Sequence, residues 1–284
     1  MASVGLLRIR DLALEQLLNI IVSLTDPLEI VTPVLSADAE WSSKIGRFFN
    51  VLHEHFELRR DSSCGFHTHV SPAAGRYTEG QLRKVAKGVI FWELNTARCT
   101  QLSRQDQVSG FCQSNVRPPT PVGLDFQVHG PWRGLQEAFR YVEGAIRDAV
   151  CEYVCPDKYR AWNFNPAKST GHGSIEFRRP AGVTTAKEAK HWIAFTVGFI
   201  NMCLSADLDS RIFRNGMDLD LTVLISPDFQ ENLRLSTRDL GFEAQLDPRM
   251  KLQDDLRSLW ISNMGQRELA WLCRHDPAYR SKCI

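Results

Sequence analysis

The sequence carries no excess charge of either sign: 34 Lys and Arg stand against 33 Asp and Glu in 284 residues. A formal net charge of +1 leaves no global field to draw the chain onto nucleic acid or anionic lipid, so any basic cluster has a local purpose. No apolar run approaches the roughly 18 to 20 residues that a membrane helix needs, the longest candidate being the amphipathic stretch Trp192 to Leu204. Arg8, Arg10, Asp11 and Glu15 interrupt the apolar opening, and no small-residue cleavage site follows it, which argues against a secretory leader. The eight cysteines, Cys64, Cys99, Cys112, Cys151, Cys155, Cys203, Cys273 and Cys283, show no CxxC spacing, as expected of free thiols in a reducing compartment. Cys151 and Cys155 lie one helical turn apart with no second pair beside them, which argues against a zinc knuckle. Neither a GxxxxGK[ST] phosphate loop nor a GxGxxG turn occurs, so any nucleotide binds through another architecture. These absences together predict a soluble, cytoplasmic protein with no nucleic-acid or membrane partner.

What is present suffices for one substantial core: 43% of the residues are hydrophobic and 24% charged. Trp41, Ile45, Phe48, Leu52 and Phe56 recur at helical spacing, with Ser36 and Asp38 available as caps. A second helix is predicted from Thr78 to Leu102, with Leu82, Val85, Val89 and Trp92 on one face. A third follows the breaker Gly130-Pro131 and carries Leu135, Phe139, Val142, Ile146 and Val150. A fourth, Thr185 to Leu204, carries Ala189, Ile193, Thr196, Ile200 and Cys203. Leu28 to Val34, Cys64 to Val70 and Ser174 to Arg179 read as strands, and this interleaving predicts an α+β domain with helices on one face of a sheet. Ser103 to Pro131, rich in Gln, Ser, Pro and Gly, reads as a long loop. The boundary expected near residue 206 separates a catalytic domain, 1–206, from a mainly helical extension, 207–284, with small helices near Arg249 to Ser262 and Gln266 to Arg274.

Four segments hold residues suited to chemistry. In Cys64–Ser71, CGFHTHVS, His67 and His69 are two apart in a strand, so both imidazoles leave one face about 7 Å apart at their α-carbons. Such a pair can share a metal, or divide metal and ligand between them; the plainer reading is two hydrogen-bonded rim histidines. In Gly173–Pro180, GSIEFRRP, apolar Ile175 and Phe177 alternate with Glu176 and Arg178. A carboxylate and a guanidinium then share a face, where they can hold a cation and a phosphate, or simply pair with one another. Glu29 is the one carboxylate in the apolar run Leu28 to Leu35; it either faces solvent from an edge strand or meets a cation. Arg160 and Asn163, in the segment Lys158 to Asn165, are candidates for ligand contacts, against the alternative of a surface arginine beside a core Trp162 and Phe164.

Taken in order, LEIVTPVL, a helix, CGFHTHVSP, a helix, YRAWNFNP and GSIEFRRPAG with its following helix resemble the amidoligase family, over roughly Asp26 to Leu204. The His-x-His and Ile-Glu-x-Arg segments are also similar to strands of glutamine synthetases, the wider superfamily. The resemblance implies a glutamine-synthetase-like curved antiparallel sheet with helices on one face, and an ATP-dependent carboxylate–amine ligase working through an acyl phosphate. It implies Glu29, His67 and Glu176 as ligands of Mg²⁺ or Mn²⁺, and His69 against the nucleotide. Arg160 and Arg178 would hold phosphate, and Arg104 would assist or bind substrate; the substrates would be small-molecule or peptide carboxylates and amines. Family members begin with a Gly-x-Glu-x-Glu strand, whereas this sequence has only Glu15 before Glu29 and carries Arg8 and Arg10 in its strand-like start. That difference keeps open a catalytically impaired, nucleotide-binding or regulatory member, and the His-x-His pair keeps open a zinc hydrolase.

Overall fold

Ile175-Glu176-Phe177 alternates apolar and charged side chains, the period of a strand with two unlike faces, and in the computed structural model it is the middle of a sheet. The structure describes residues 30–37, 40–59, 64–100, 104, 110–213 and 229–246. They fall into two compact units, Met1–Glu54 and His55–Ile284.

In the first unit, α1 (Trp41–His55) buries Trp41, Ile45 and Phe49, a line of one residue every four. Phe49 takes the buried place that the spacing gave to Phe48, whose ring meets it edge-on at 5.4 Å. Of the strand expected over Leu28 to Val34, the described part has no regular structure beyond a bridge residue at Val31; Leu28, Glu29 and Asp38 lie outside the described residues.

The sheet of the second unit has the order β1 (Thr68–Val70), β3 (Ile175–Phe177), β2 (Trp162–Asn163), antiparallel throughout. Its apolar face is aromatic. The Phe177 ring stacks on Trp162 at 4.4 Å and on Phe195 at 5.5 Å, and Trp162 stacks on Phe199 at 4.6 Å. Phe195 and Phe199 belong to α7 (Ala186–Ser205), capped by the Thr185 side chain, which accepts from the Glu188 amide. These side chains are fully buried, and each such ring contributes roughly 1.5–3 kcal/mol through removal from water.

On α7 pack α2 (Glu79–Phe91) and α9 (Phe229–Asp239); α5 (Pro131–Gly144) and α6 (Arg147–Val154) pack on α2, α8 (Leu208–Phe213) packs on α5, and α3 (Glu93–Arg98) continues from the end of α2. Thr78 and Gln81 form a reciprocal capping box that fixes the start of α2. The helix expected to run on to Leu102 stops at Trp92, whose ring turns into the core against Phe91, Phe199 and Phe229. The expected third helix is likewise two, divided at an extended Ala145; Leu135, Phe139, Val142 and Val150 are buried as the spacing predicts, but Ile146, at the break, is 67% exposed. Ser103 to Pro131 is not one loop: α4 (Pro121–His129) lies inside it, capped by Thr120 and started by a proline at its first turn. The described residues after 207 join the same core through Leu208, Ile212, Phe229 and Leu233. The small helices expected after Arg249 fall outside the described residues. Among the described residues no helix is long and apolar enough to cross a membrane, and the six described cysteines are free thiols. The fold is α+β: helices with a small antiparallel sheet.

Candidate functional site

Because partners directly opposite in an antiparallel pair point to the same side, the register His69↔Glu176 and Asn163↔Glu176 puts a carboxylate between an imidazole and an amide. This is the face opposite Phe177. His67, two residues before His69, and Arg178, two after Glu176, join it as the strand period requires.

Their polar atoms converge on one carboxylate, 5% exposed. Glu176 Oε1 lies 3.2 Å from His67 Nδ1, 3.6 Å from His69 Nε2 and 3.5 Å from Arg178 Nε. Its other oxygen, Oε2, accepts from Asn163 Nδ2 at 2.7 Å. Burial pushes this carboxyl's pKa up. The His67 hydrogen bond, the charges of His69 and Arg178 and the Asn163 amide outweigh it and bring the pKa down to about 2. His69 is also shifted down, but here burial is the main cause: burial lowers its pKa, Glu176 opposes this, and His172, His67 and Arg178 lower it further. The shift favours the uncharged form of His69 at neutral pH.

Asn163 is oriented from behind. Its carbonyl oxygen accepts from the Asn165 amide at 3.0 Å, which leaves Nδ2 to face the carboxylate. His69 Nδ1 lies 3.2 Å from Ser174 Oγ, which in turn is 2.9 Å from His172 Nε2. Arg178 donates through Nη1 to the Lys158 carbonyl, while its buried Nε has no hydrogen-bond partner.

The other predicted residues take different positions. Arg160 is buried, bonded to Asp157 Oδ2 through Nη2 at 2.7 Å and Nε at 3.1 Å, and to the Ser114 carbonyl through Nη1 at 3.2 Å. Arg104 is buried behind the strand end, donating to the carbonyls of Arg179 at 3.2 Å and Arg178 at 3.0 Å. It nonetheless borders the histidines: a Cβ added to Gly65 would stand 2.8 Å from Arg104 Nη2 and 2.9 Å from His67 Nε2, so a side chain there would have to push these two groups aside. Glu29 lies outside the described residues. The structure thus brings together His67, His69, Glu176 and Arg178, with Arg104 alongside, and shows Arg160 held by Asp157. Sequence reasoning passed over Ser174 and His172, although the Gly-His-Gly turn before a charged strand was a signal for them. It also passed over the buried pair Arg179–Glu93, 2.5 Å apart, which anchors the residue after Arg178.

Chemically, one ionised carboxylate rimmed by two imidazoles and a guanidinium can receive a cation and, beside it, an anion. Comparison with known proteins decides the family. The model of the family described as "Putative amidoligase enzyme" matches residues 10–200, most of the chain and the whole of this sheet. The chain belongs to the amidoligase family. No curated protein and no solved structure matches it. The amidoligase segments read from the sequence, CGFHTHVSP and GSIEFRRPAG, are the ones that build this face, and the family description makes the chain a ligase-type enzyme.

Proposed function

We infer that this amidoligase joins a carboxylate to an amine at the expense of ATP, on a glutamine-synthetase-like sheet and through an acyl phosphate. The observation that carries this reading is the convergence of His67, His69 and Arg178 on Glu176 Oε1. A free carboxylate is a poor electrophile, and bound ATP would supply the phosphoryl group that turns its oxygen into a leaving group. The protein's part is to hold that charge and exclude its dispersal.

Glu176, kept ionised, and His67 would hold Mg²⁺ or Mn²⁺. Among the described residues no group of three or more His, Cys, Asp or Glu side chains is set to hold a metal ion. One ionised carboxylate still fits magnesium, which is commonly bound through one or two carboxylates with phosphate oxygens and water completing its shell. His69, uncharged, would lie against the nucleotide. Arg178, whose Nε faces Glu176 Oε1 at 3.5 Å, would turn its planar fork to a phosphate oxygen, a geometry that a lysine cannot copy. Arg160 and Arg104 would have to exchange their present carboxylate and carbonyl partners to reach phosphate or substrate.

The test is release of ADP and formation of amide by the full chain with Mg-ATP and a library of carboxylates and amines. Turnover abolished by Glu176→Gln supports the ligase. Saturable ATP binding without ADP release would make this a nucleotide-binding, regulatory member. Failure to bind Mg-ATP at all would overturn both.

A further inference from the structure

Outside the groups assigned above, one device on the same face is built with care and has no role yet: the turn that carries His172. Gly173 has φ 97°, the left-handed region, and a Cβ there would stand 2.3 Å from the Gly75 carbonyl oxygen, so glycine is required. Arg76 clamps the same turn from outside, donating to the carbonyls of Lys168 at 3.2 Å, Ser169 at 3.1 Å and Gly171. The Gly173 amide closes it on the Pro166 carbonyl at 2.8 Å. The outcome is an exposed His172 held beside His69, ring centroids 5.9 Å apart, with the buried Ser174 hydroxyl between them.

The direction of this chain follows from proton bookkeeping. A hydroxyl has one hydrogen, so Ser174 donates to one ring and accepts from the other. Glu176 Oε1, 3.6 Å from His69 Nε2, is ionised and only accepts, which favours the hydrogen of His69 on Nε2. His69 Nδ1 is then an acceptor, Ser174 donates to it, and His172 Nε2–H donates to Ser174.

We propose that His172 and Ser174 are positioning residues that hold the ring of His69 in one plane and one tautomer, Nε2–H turned to Glu176. The proposal deepens the preceding reading, resting on it only where His69 is taken to lie against the nucleotide. Ring and hydroxyl partners of this kind commonly decide which nitrogen of a histidine faces a ligand.

Imidazole ¹⁵N spectra of the full chain at pH 8 read the tautomer directly, without any ligand. In the parent His69 gives the Nε2–H pattern alone. Ser174→Ala mixes the two tautomers, Ser174→Thr restores the parent pattern, and His172→Ala, at an exposed site where folding is not at stake, shifts it partway. Dissociation constants for Mg-ATP rise about fivefold in Ser174→Ala, the cost of one net hydrogen bond, and stay near the parent value in Ser174→Thr. A mixed tautomer in the parent, or an unchanged spectrum in both Ser174→Ala and His172→Ala, overturns the proposal even if Mg-ATP binds. A fixed, Ser174-dependent tautomer in a chain that does not bind Mg-ATP upholds the positioning role and overturns the nucleotide reading instead.

Discussion

The two faces of the three-stranded sheet are made from the same short strands and the residues that flank them, and they have opposite chemistry. One carries Trp162 and Phe177, ring on ring and then onto Phe195 and Phe199 of α7. The other carries His67, His69, Asn163, Glu176 and Arg178, gathered around a carboxylate that burial opposes and its neighbours keep ionised. Alternate residues of one short strand thus do two jobs: odd positions fasten the sheet to the helices, even positions build a polar site. The difference teaches that the site's precision comes from its back. A charged cluster on a strand of three residues holds its geometry because the opposite face is locked by aromatic packing.

That comparison can be broken by separating stability from ligand binding. Phe177→Ala, on the aromatic face, should lower stability by about 3–5 kcal/mol in denaturant unfolding, since it opens a cavity beneath Trp162 and Phe195. Next comes Glu93→Ala, which leaves Arg179 without its carboxylate partner and should cost about 3 kcal/mol or more by the same measurement. Glu176→Gln should cost less than these two, and its cost should be full near neutral pH and shrink in acid. With its folded pKa at about 2 against an ordinary 4.5, Glu176 contributes stability that is fully present above about 4.5 and is lost as pH falls toward 2. The lowered pKa of His69 acts in the same direction, its contribution present above 6.5 and weakening below. Acid titrations of the melting temperature should therefore show a shallower fall for Glu176→Gln between 4.5 and 2 than for the parent. Arg178→Lys should scarcely change stability yet weaken Mg-ATP binding in calorimetry, because charge remains and the fork is lost. A substitution on the polar face that unfolds the protein, or one on the aromatic face that changes only affinity, would contradict the division.

Much of this was legible in the sequence because strand alternation is a local property. His67 and His69, Glu176 and Arg178 declare their shared faces by spacing alone, and the helical stripes of Leu82, Val85 and Val89 and of Leu135, Phe139 and Val142 are buried as their period requires. What the sequence did not disclose depends on partners far along the chain. Trp92 ends a helix because its ring finds Phe199 and Phe229, more than a hundred residues on. Arg160, a plausible phosphate ligand by type, meets Asp157 three residues earlier and the Ser114 carbonyl, and nothing in its own segment ranks those partners above a ligand. The helix Pro121–His129 was hidden by a polar, proline-rich surround, although Thr120 and Pro121 are a sound helix start. Ser174 and His172 were overlooked because a hydroxyl bridge exists only once the turn at Gly173 has folded back.

The central claim is that the polar face around Glu176 is where Mg-ATP binds. Calorimetric titration of Mg-ATP into the full chain and its Glu176→Gln variant, at neutral pH where both are folded, tests it most directly. Saturable binding by the parent and at least about a tenfold loss in the variant, with the fold intact by circular dichroism, is the expected result. Equal affinity in the two proteins would contradict it.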